Sequence, residues 1–164
     1  MNTTTAIPAD AVGTHDLVIS RHLQAPRAAL WRAWAEPALL AQWWCPRPWT
    51  TTVHTLDLRP GGGFHTHMQG PDGAGVDNRA CFVEVVPQTR LVWTSLLSAD
   101  WRPATPGMSV TAVVTLADEG AGTRYVVTAM HPDAATRDRH AALGFFAGWG
   151  RCIEQLAAVA QGLL

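Results

Sequence analysis

Asp57-Leu58-Arg59-Pro60-Gly61-Gly62-Gly63-Phe64-His65-Thr66-His67 is the stretch on which the reading of this chain turns. Strand-like residues run into a Pro and three glycines, and strand-like residues follow. Consecutive glycines inside a small domain demand a sharp reversal, or backbone lying very close to a neighbour. The pattern repeats outward. His15 to Gln24 alternates weakly around Leu17, Ile19 and Leu23 and reads as a first strand. Further strands are expected near 50–59, 63–69, 78–86, 90–97, 108–117 and 122–131. Turn residues cluster at Pro60 to Gly63, Pro71-Asp72-Gly73, Pro87-Gln88, Pro103 to Gly107 and Asp118 to Gly122. Short strands at even spacing with tight turns describe an antiparallel meander.

Helical spacing occupies the remainder. Pro26 suits a first helical turn, and Leu30, Trp31 and Trp34 recur three and four apart. Glu36-Pro37 breaks that helix. A second short one carries Leu39, Leu40, Trp43 and Trp44, and Pro46 and Pro48 end it. At the far end Asp133 is an N-cap candidate for one long helix running to about residue 162. Its apolar stripe comprises Ala142, Phe145 or Phe146, Trp149, Ile153, Leu156 and Ala160. Gly144, Gly148 and Gly150 fall inside it, each costing roughly 1 kcal/mol against Ala. Such a cluster implies close approach to the sheet, or room left for a ligand. The expected fold is α+β: a curved antiparallel sheet of about seven strands around a long C-terminal helix, with two short helices after strand one. A tail over 1–13 precedes a single domain over 14–164.

Composition narrows the function classes. A chain of 164 residues and 17.7 kDa buries roughly 70% of its extended surface on folding, enough for its own core. The net charge of −1 gives no electrostatic case for nucleic acid or an anionic membrane. All twelve basic residues are Arg. With no Lys, a Schiff-base lysine and a P-loop lysine are excluded. Cys45, Cys81 and Cys152 are odd in number and widely spaced, as in a reduced, cytoplasmic protein. Met1 to Gly13 lacks the basic start and apolar run of a signal peptide, and no apolar run is long enough to span a bilayer.

The order of elements, with Ala25-Pro26-Arg27 before Leu30-Trp31-Arg32-Ala33-Trp34, then Trp43-Trp44-x-Pro46, resembles the START-like (SRPBCC, Bet v 1-type) superfamily. Asp57-Leu58-Arg59-Pro60-Gly61-Gly62, Glu84-Val85-Val86-Pro87 and Arg90-Leu91-Val92 extend the likeness. So do Gly122-Thr123-Arg124, His131-Pro132, and Gly148-Trp149-Gly150 with Leu156. Within the superfamily the chain is similar to bacterial proteins related to the activator of the heat-shock-protein-90 ATPase, over residues 14–162. The resemblance implies a helix-grip fold with a cavity under the last helix, and binding of a hydrophobic small molecule. It also implies two other roles: a cyclase or aromatase of the polyketide type, and a domain that binds a chaperone.

Eight tryptophans stand out. Large aromatics are mostly interior, and Trp31 and Trp34 read as anchors of the first helix. The candidates for lining a ligand cavity are Trp43, Trp44, Trp93, His131, Phe145, Trp149 and Ile153, since aromatic walls stack planar or apolar molecules. No catalytic residue is assigned, although His, Arg, Thr and Tyr125 could move protons. No Gly-x-Ser-x-Gly elbow exists, and the cysteines sit in apolar settings where thiols are inert. His65 and His67 share a strand face, with His54 on the preceding strand. A metal centre needs converging ligands with a carboxylate or similar partner, and the nearest acids along the chain, Asp72, Asp77 and Glu84, do not match a His-x-His-Glu spacing. No metal and no other cofactor are expected. The expected partner is a small hydrophobic molecule; edge strands that could pair into a homodimer leave the oligomeric state open.

Overall fold

Pro60 to Gly63 does reverse the chain, and the glycines there are needed for reasons that differ. In the computed structural model, which describes residues 12–164, Gly61 adopts φ +81° and a Cβ there would sit 2.6 Å from the Trp101 indole nitrogen. A Cβ on Gly62 would overlap the Asp57 carbonyl oxygen. The Gly61 and Gly62 backbones are meanwhile hydrogen-bonded to Phe82 at 2.8 and 2.9 Å. The turn is thus stitched to a neighbouring strand, where no side chain fits. Arg59 and Asp57 pair beside the turn at 2.7 Å.

Among the described residues, nine strands and four helices surround this corner. They run β1 (Asp16–Leu23), α1 (Arg27–Ala35), α2 (Pro37–Leu40), β2 (Thr50–Leu56), β3 (Gly63–Gln69), β4 (Gly75–Val86), β5 (Arg90–Thr94), β6 (Leu97–Ser98), β7 (Arg102–Pro103), β8 (Thr111–Glu119), β9 (Gly122–Met130), α3 (Ala134–Ala142) and α4 (Phe145–Gln161). Seven strands form one antiparallel sheet in the order β1-β9-β8-β5-β4-β3-β2. This is the helix-grip arrangement expected. The small β6–β7 hairpin was not expected from the sequence; it crosses a tight turn at Ala99–Trp101 that lies over Gly61. The tail expected over 1–13 lies outside the described residues apart from Val12 and Gly13, which are exposed. Among the described residues, no helix is long and apolar enough to cross a membrane.

Three local expectations are corrected. Pro26 is the N-cap of α1 and not its first turn, and the second helix stops at Leu40, with residues 41–45 continuing as turns. The long terminal helix is two helices. Asp133 caps α3, accepting from the Thr136 N–H at 2.7 Å, but the helix breaks at Leu143-Gly144, where Gly144 adopts φ +93°. Ala142 is consequently exposed on α3, and Phe145 rather than Phe146 turns inward.

The core lies between the sheet's concave face and the helices. Leu30, Ala33 and Trp34 of α1 meet Leu91, Val114, Leu116, Tyr125 and Val127 of the sheet, with Ile153, Leu156 and Ala160 of α4. Trp34 donates its indole N–H to the Tyr125 hydroxyl at 2.9 Å, giving both buried polar handles a partner. Burial raises the Tyr125 pKa well above its ordinary value, and this phenol lies in the core.

Candidate ligand cavity

Inward-facing side chains shrink along the sheet. Toward one end they are Phe82, Leu91, Val114, Leu116, Tyr125 and Val127; toward the other Thr66, Ala80, Ala112 and Ala129 are small, with Phe64 and Trp93 standing beside Ala80 and Ala112. Ala112 stands directly beside Ala129 in register, so the sheet offers a low floor there. The helix above is equally bare. Among the described residues, apart from the helix's own backbone and chain neighbours, no heavy atom lies within 4 Å of where a Cβ would sit on Gly144, Gly148 or Gly150. Close approach to the sheet therefore does not account for these glycines. Between floor and helix lies a cavity of about 880 Å³, bordered by both Gly144 and Gly148.

Its walls are aromatic and sulfur-bearing. Trp44, Phe64, Trp93, Phe145 and Trp149 border it, with Met68, Met108 and Cys152. Trp44 meets Trp149 edge-on at 5.6 Å and Phe64 at 5.0 Å, while Trp93 lies nearly parallel to Trp149 at 6.2 Å. Such offset and edge-on pairings are the stable arrangements for rings. The indoles form a wall at one end and leave the space open. Cys152 is inert there, because burial pushes its thiol up to about 12.

Trp44 is held by a residue the sequence reading passed over. Gln155 of α4 is buried; its amide donates to the Trp43 and Cys45 carbonyls at 3.2 and 2.8 Å and accepts from the Arg47 N–H at 3.0 Å. One side chain thereby satisfies three backbone groups of the 43–47 loop and fixes Trp44 against α4. A polar residue in an otherwise apolar helical stripe was the available signal.

Polar side chains line part of the border, among them Asp77, Arg79, Thr105 and Arg139. Thr66 is buried, and its hydroxyl finds no hydrogen-bond partner among the described residues. Asn78 and Ser95 also border the space. At the α3–α4 junction, Arg139 bonds the Gly107 carbonyl at 2.7 Å, tethering α3 to the loop before β8. His140 borders the cavity beside it, its ring edge-on to Phe145 at 5.0 Å. Its Nδ1 lies 2.8 Å from His131 Nε2, and His131 Nδ1 lies 2.8 Å from the His15 carbonyl oxygen. A carbonyl only accepts, so His131 Nδ1 carries a proton. With both rings neutral, His131 Nε2 accepts from His140 Nδ1–H, leaving the lone pair of His140 on Nε2. Burial, with repulsion from His131 and then Arg139, holds His140 down to about 4.

Of the seven residues expected at a cavity, Trp44, Trp93, Phe145 and Trp149 border this one. Trp43 does not: it is 1% exposed, packs edge-on against Trp34 and donates to the Ala33 carbonyl. Ile153, also 1% exposed, lies on the α4 face turned into the core. His131 stands behind His140, one residue removed from the space. Cys152, next to Ile153, and His140, beside His131, border the cavity instead, because which way a helix face rolls is decided by packing.

A curved seven-stranded sheet gripping a C-terminal helix over an apolar cavity defines a Bet v 1/SRPBCC-type domain. The chain belongs to the family described as "Activator of Hsp90 ATPase homolog 1-like protein", whose model matches residues 24–161. It is similar to the solved structure of protein NE0264 from Nitrosomonas europaea, with 41% identity and a TM-score of 0.87 over 92% of this chain and 97% of that one. Protein Ms6760 from Mycobacterium smegmatis is 27% identical, with a TM-score of 0.77 over 89% of this chain and 90% of that one. An AHSA1-like protein from Aeromonas hydrophila is 25% identical, with a TM-score of 0.69 over 90% and 93%. No curated protein matches the sequence.

Proposed function

We propose that the protein binds a small, largely apolar or aromatic molecule carrying a hydrogen-bond donor, held between the sheet and α4. The observation that carries this reading is the cavity of about 880 Å³, walled by Trp44, Phe64, Trp93 and Trp149. That volume falls in the range of small-molecule sites, which combine apolar walls with a few placed polar groups. The Nε2 lone pair of His140 suits a phenolic or amide donor, and the Thr66 hydroxyl gives a second handle.

Three tryptophans in the wall make the test direct. Titration with 2-naphthol should change the tryptophan emission saturably, and naphthalene, lacking the donor, should bind more weakly. Native mass spectrometry of protein purified without stripping should show a bound small molecule. A flat emission response across a broad set of apolar aromatics, with only the bare chain in the mass spectrum, would refute the proposal.

The His131–His140 pair favours a second reading, an enzyme of the cyclase or aromatase type in which His140 takes a proton from a bound substrate. General bases work best with a pKa near the working pH, and a value of about 4 makes His140 a weak one. Binding is therefore the leading reading. A His140→Gln protein that keeps affinity but loses turnover of a polyketide-like substrate would reverse the order.

A further inference from the structure

The sheet's outer face gathers the histidines that the sequence left without a partner, beside Asp77 and Arg79, which also border the cavity. Between β2 and β3 the register slips: Val53 pairs with Thr66 and Thr55 with His65, leaving His54 as the extra residue of a β-bulge. Val53 and Leu56 are partly buried, whereas His54 and Thr55 are both exposed, so the bulge puts two consecutive residues on the outer face. Bulges commonly re-aim a side chain in this way. The His54 and His65 rings lie 4.6 Å apart.

The carboxylate comes from the neighbouring strand. Asp77 of β4 stands directly opposite His67 and diagonal to His65. Its Oδ1 lies 3.2 Å from both His65 Nε2 and His67 Nδ1, while Arg79 holds Oδ2 at 3.4 Å. Spacing along the chain hides this carboxylate, because it arrives by register.

We propose that His54, His65 and Asp77 form a surface site for a divalent transition-metal ion of the Zn²⁺, Co²⁺ or Ni²⁺ class. One donor atom from each lies within 4.8 Å of the other two. Donors each about 2.1 Å from a tetrahedral ion lie about 3.4 Å apart, so the exposed side chains must draw together by up to about 1.4 Å at the widest pair. Two imidazoles and one carboxylate match the preference of these ions, whereas Mg²⁺ and Ca²⁺ prefer oxygen donors. Three ligands on hydrogen-bonded strands leave coordination positions open to solvent. Arg79 and His67 orient Asp77 from outside the ligand set.

The test uses the untagged full chain. Isothermal titration with Zn²⁺ should show one saturable equivalent, and Co²⁺ should develop visible absorption from bound nitrogen and oxygen ligands. His54→Ala and His65→Ala should each weaken Zn²⁺ binding at least about tenfold. All three ligands are outside the core, so the metal-free melting temperatures of these variants should match the parent. His140→Gln, which alters the other histidine pair, should bind Zn²⁺ as the parent does. Absence of saturable uptake, or uptake that survives both His54→Ala and His65→Ala, would overturn the site.

Discussion

Gln155 shows how one side chain can decide where a cavity wall stands. Its amide answers two carbonyls and one N–H of the 43–47 loop. Gln155→Leu keeps the volume but leaves those buried groups unpaired, and should cost about 2–3 kcal/mol in urea unfolding. Tryptophan emission should shift as Trp44 loosens; unchanged stability and emission would show that water can replace the amide. His140 makes a second prediction at this scale. Its folded-state pKa of about 4 lies below its ordinary value of 6.5, so on acidification the unfolded chain takes up the proton first. The contribution is complete above pH 6.5 and is lost as pH falls toward 4. With the ring only half-buried, on the order of 1–2 kcal/mol is at stake. Between about pH 7.5 and pH 4.5 the parent should lose that much more stability than His140→Gln. Parallel curves would show that His140 titrates alike in both states. Residue identity was legible where chemistry is local, as at the Asp133 cap. Gln155 and Asp77 act on groups that only the folded chain brings near, so nothing local marked them as partners.

At the scale of elements, the terminal helices carry the clearest lesson. Their glycines looked alike in sequence, three breaks in one stripe. Gly144 is a hinge in the left-handed region that separates α3 from α4, whereas Gly148 sits within α4 facing open space. The same substitution should therefore act with opposite sign. Gly148→Ala removes a helix-interior glycine at no steric cost and should stabilise by about 0.5–1 kcal/mol. For a chain of this size that corresponds to a rise of about 1–4 °C in melting temperature. Gly144→Ala forces a side chain onto a positive φ and should cost about 1–3 kcal/mol. Equal effects in thermal melts would mean that the break at Leu143-Gly144 is not maintained by that conformation. The strands were legible to within a few residues because alternation and turn chemistry are short-range signals. The α3–α4 break was not, since a helical period continues in the residues across it. The bulge at His54 was invisible for the same kind of reason: it is a slip between two strands.

For the molecule as a whole, the cavity follows from a gradient of side-chain size. Large residues fill the sheet–helix space near α1, and Ala80, Ala112, Ala129 and Gly148 leave it open toward α3. The seven-stranded grip was readable from element order; the void was only implied, because it depends on which small residues from distant strands share one level. Filling that level tests the architecture and the function together. Ala112 lies on β8 beside Trp93 of β5 and Ala129 of β9, facing the space. Ala112→Phe should enter without displacing the core, since overpacking penalties of about 1–3 kcal/mol arise where a site is already filled. The variant should keep the parent's melting temperature, or exceed it by gaining buried apolar area. It should also lose the emission change on adding 2-naphthol and the bound small molecule in native mass spectra. Zn²⁺ uptake on the outer face should be unaltered, which separates a blocked cavity from a misfolded sheet. An Ala112→Phe variant that melts like the parent and still takes up 2-naphthol would place the ligand elsewhere on the molecule.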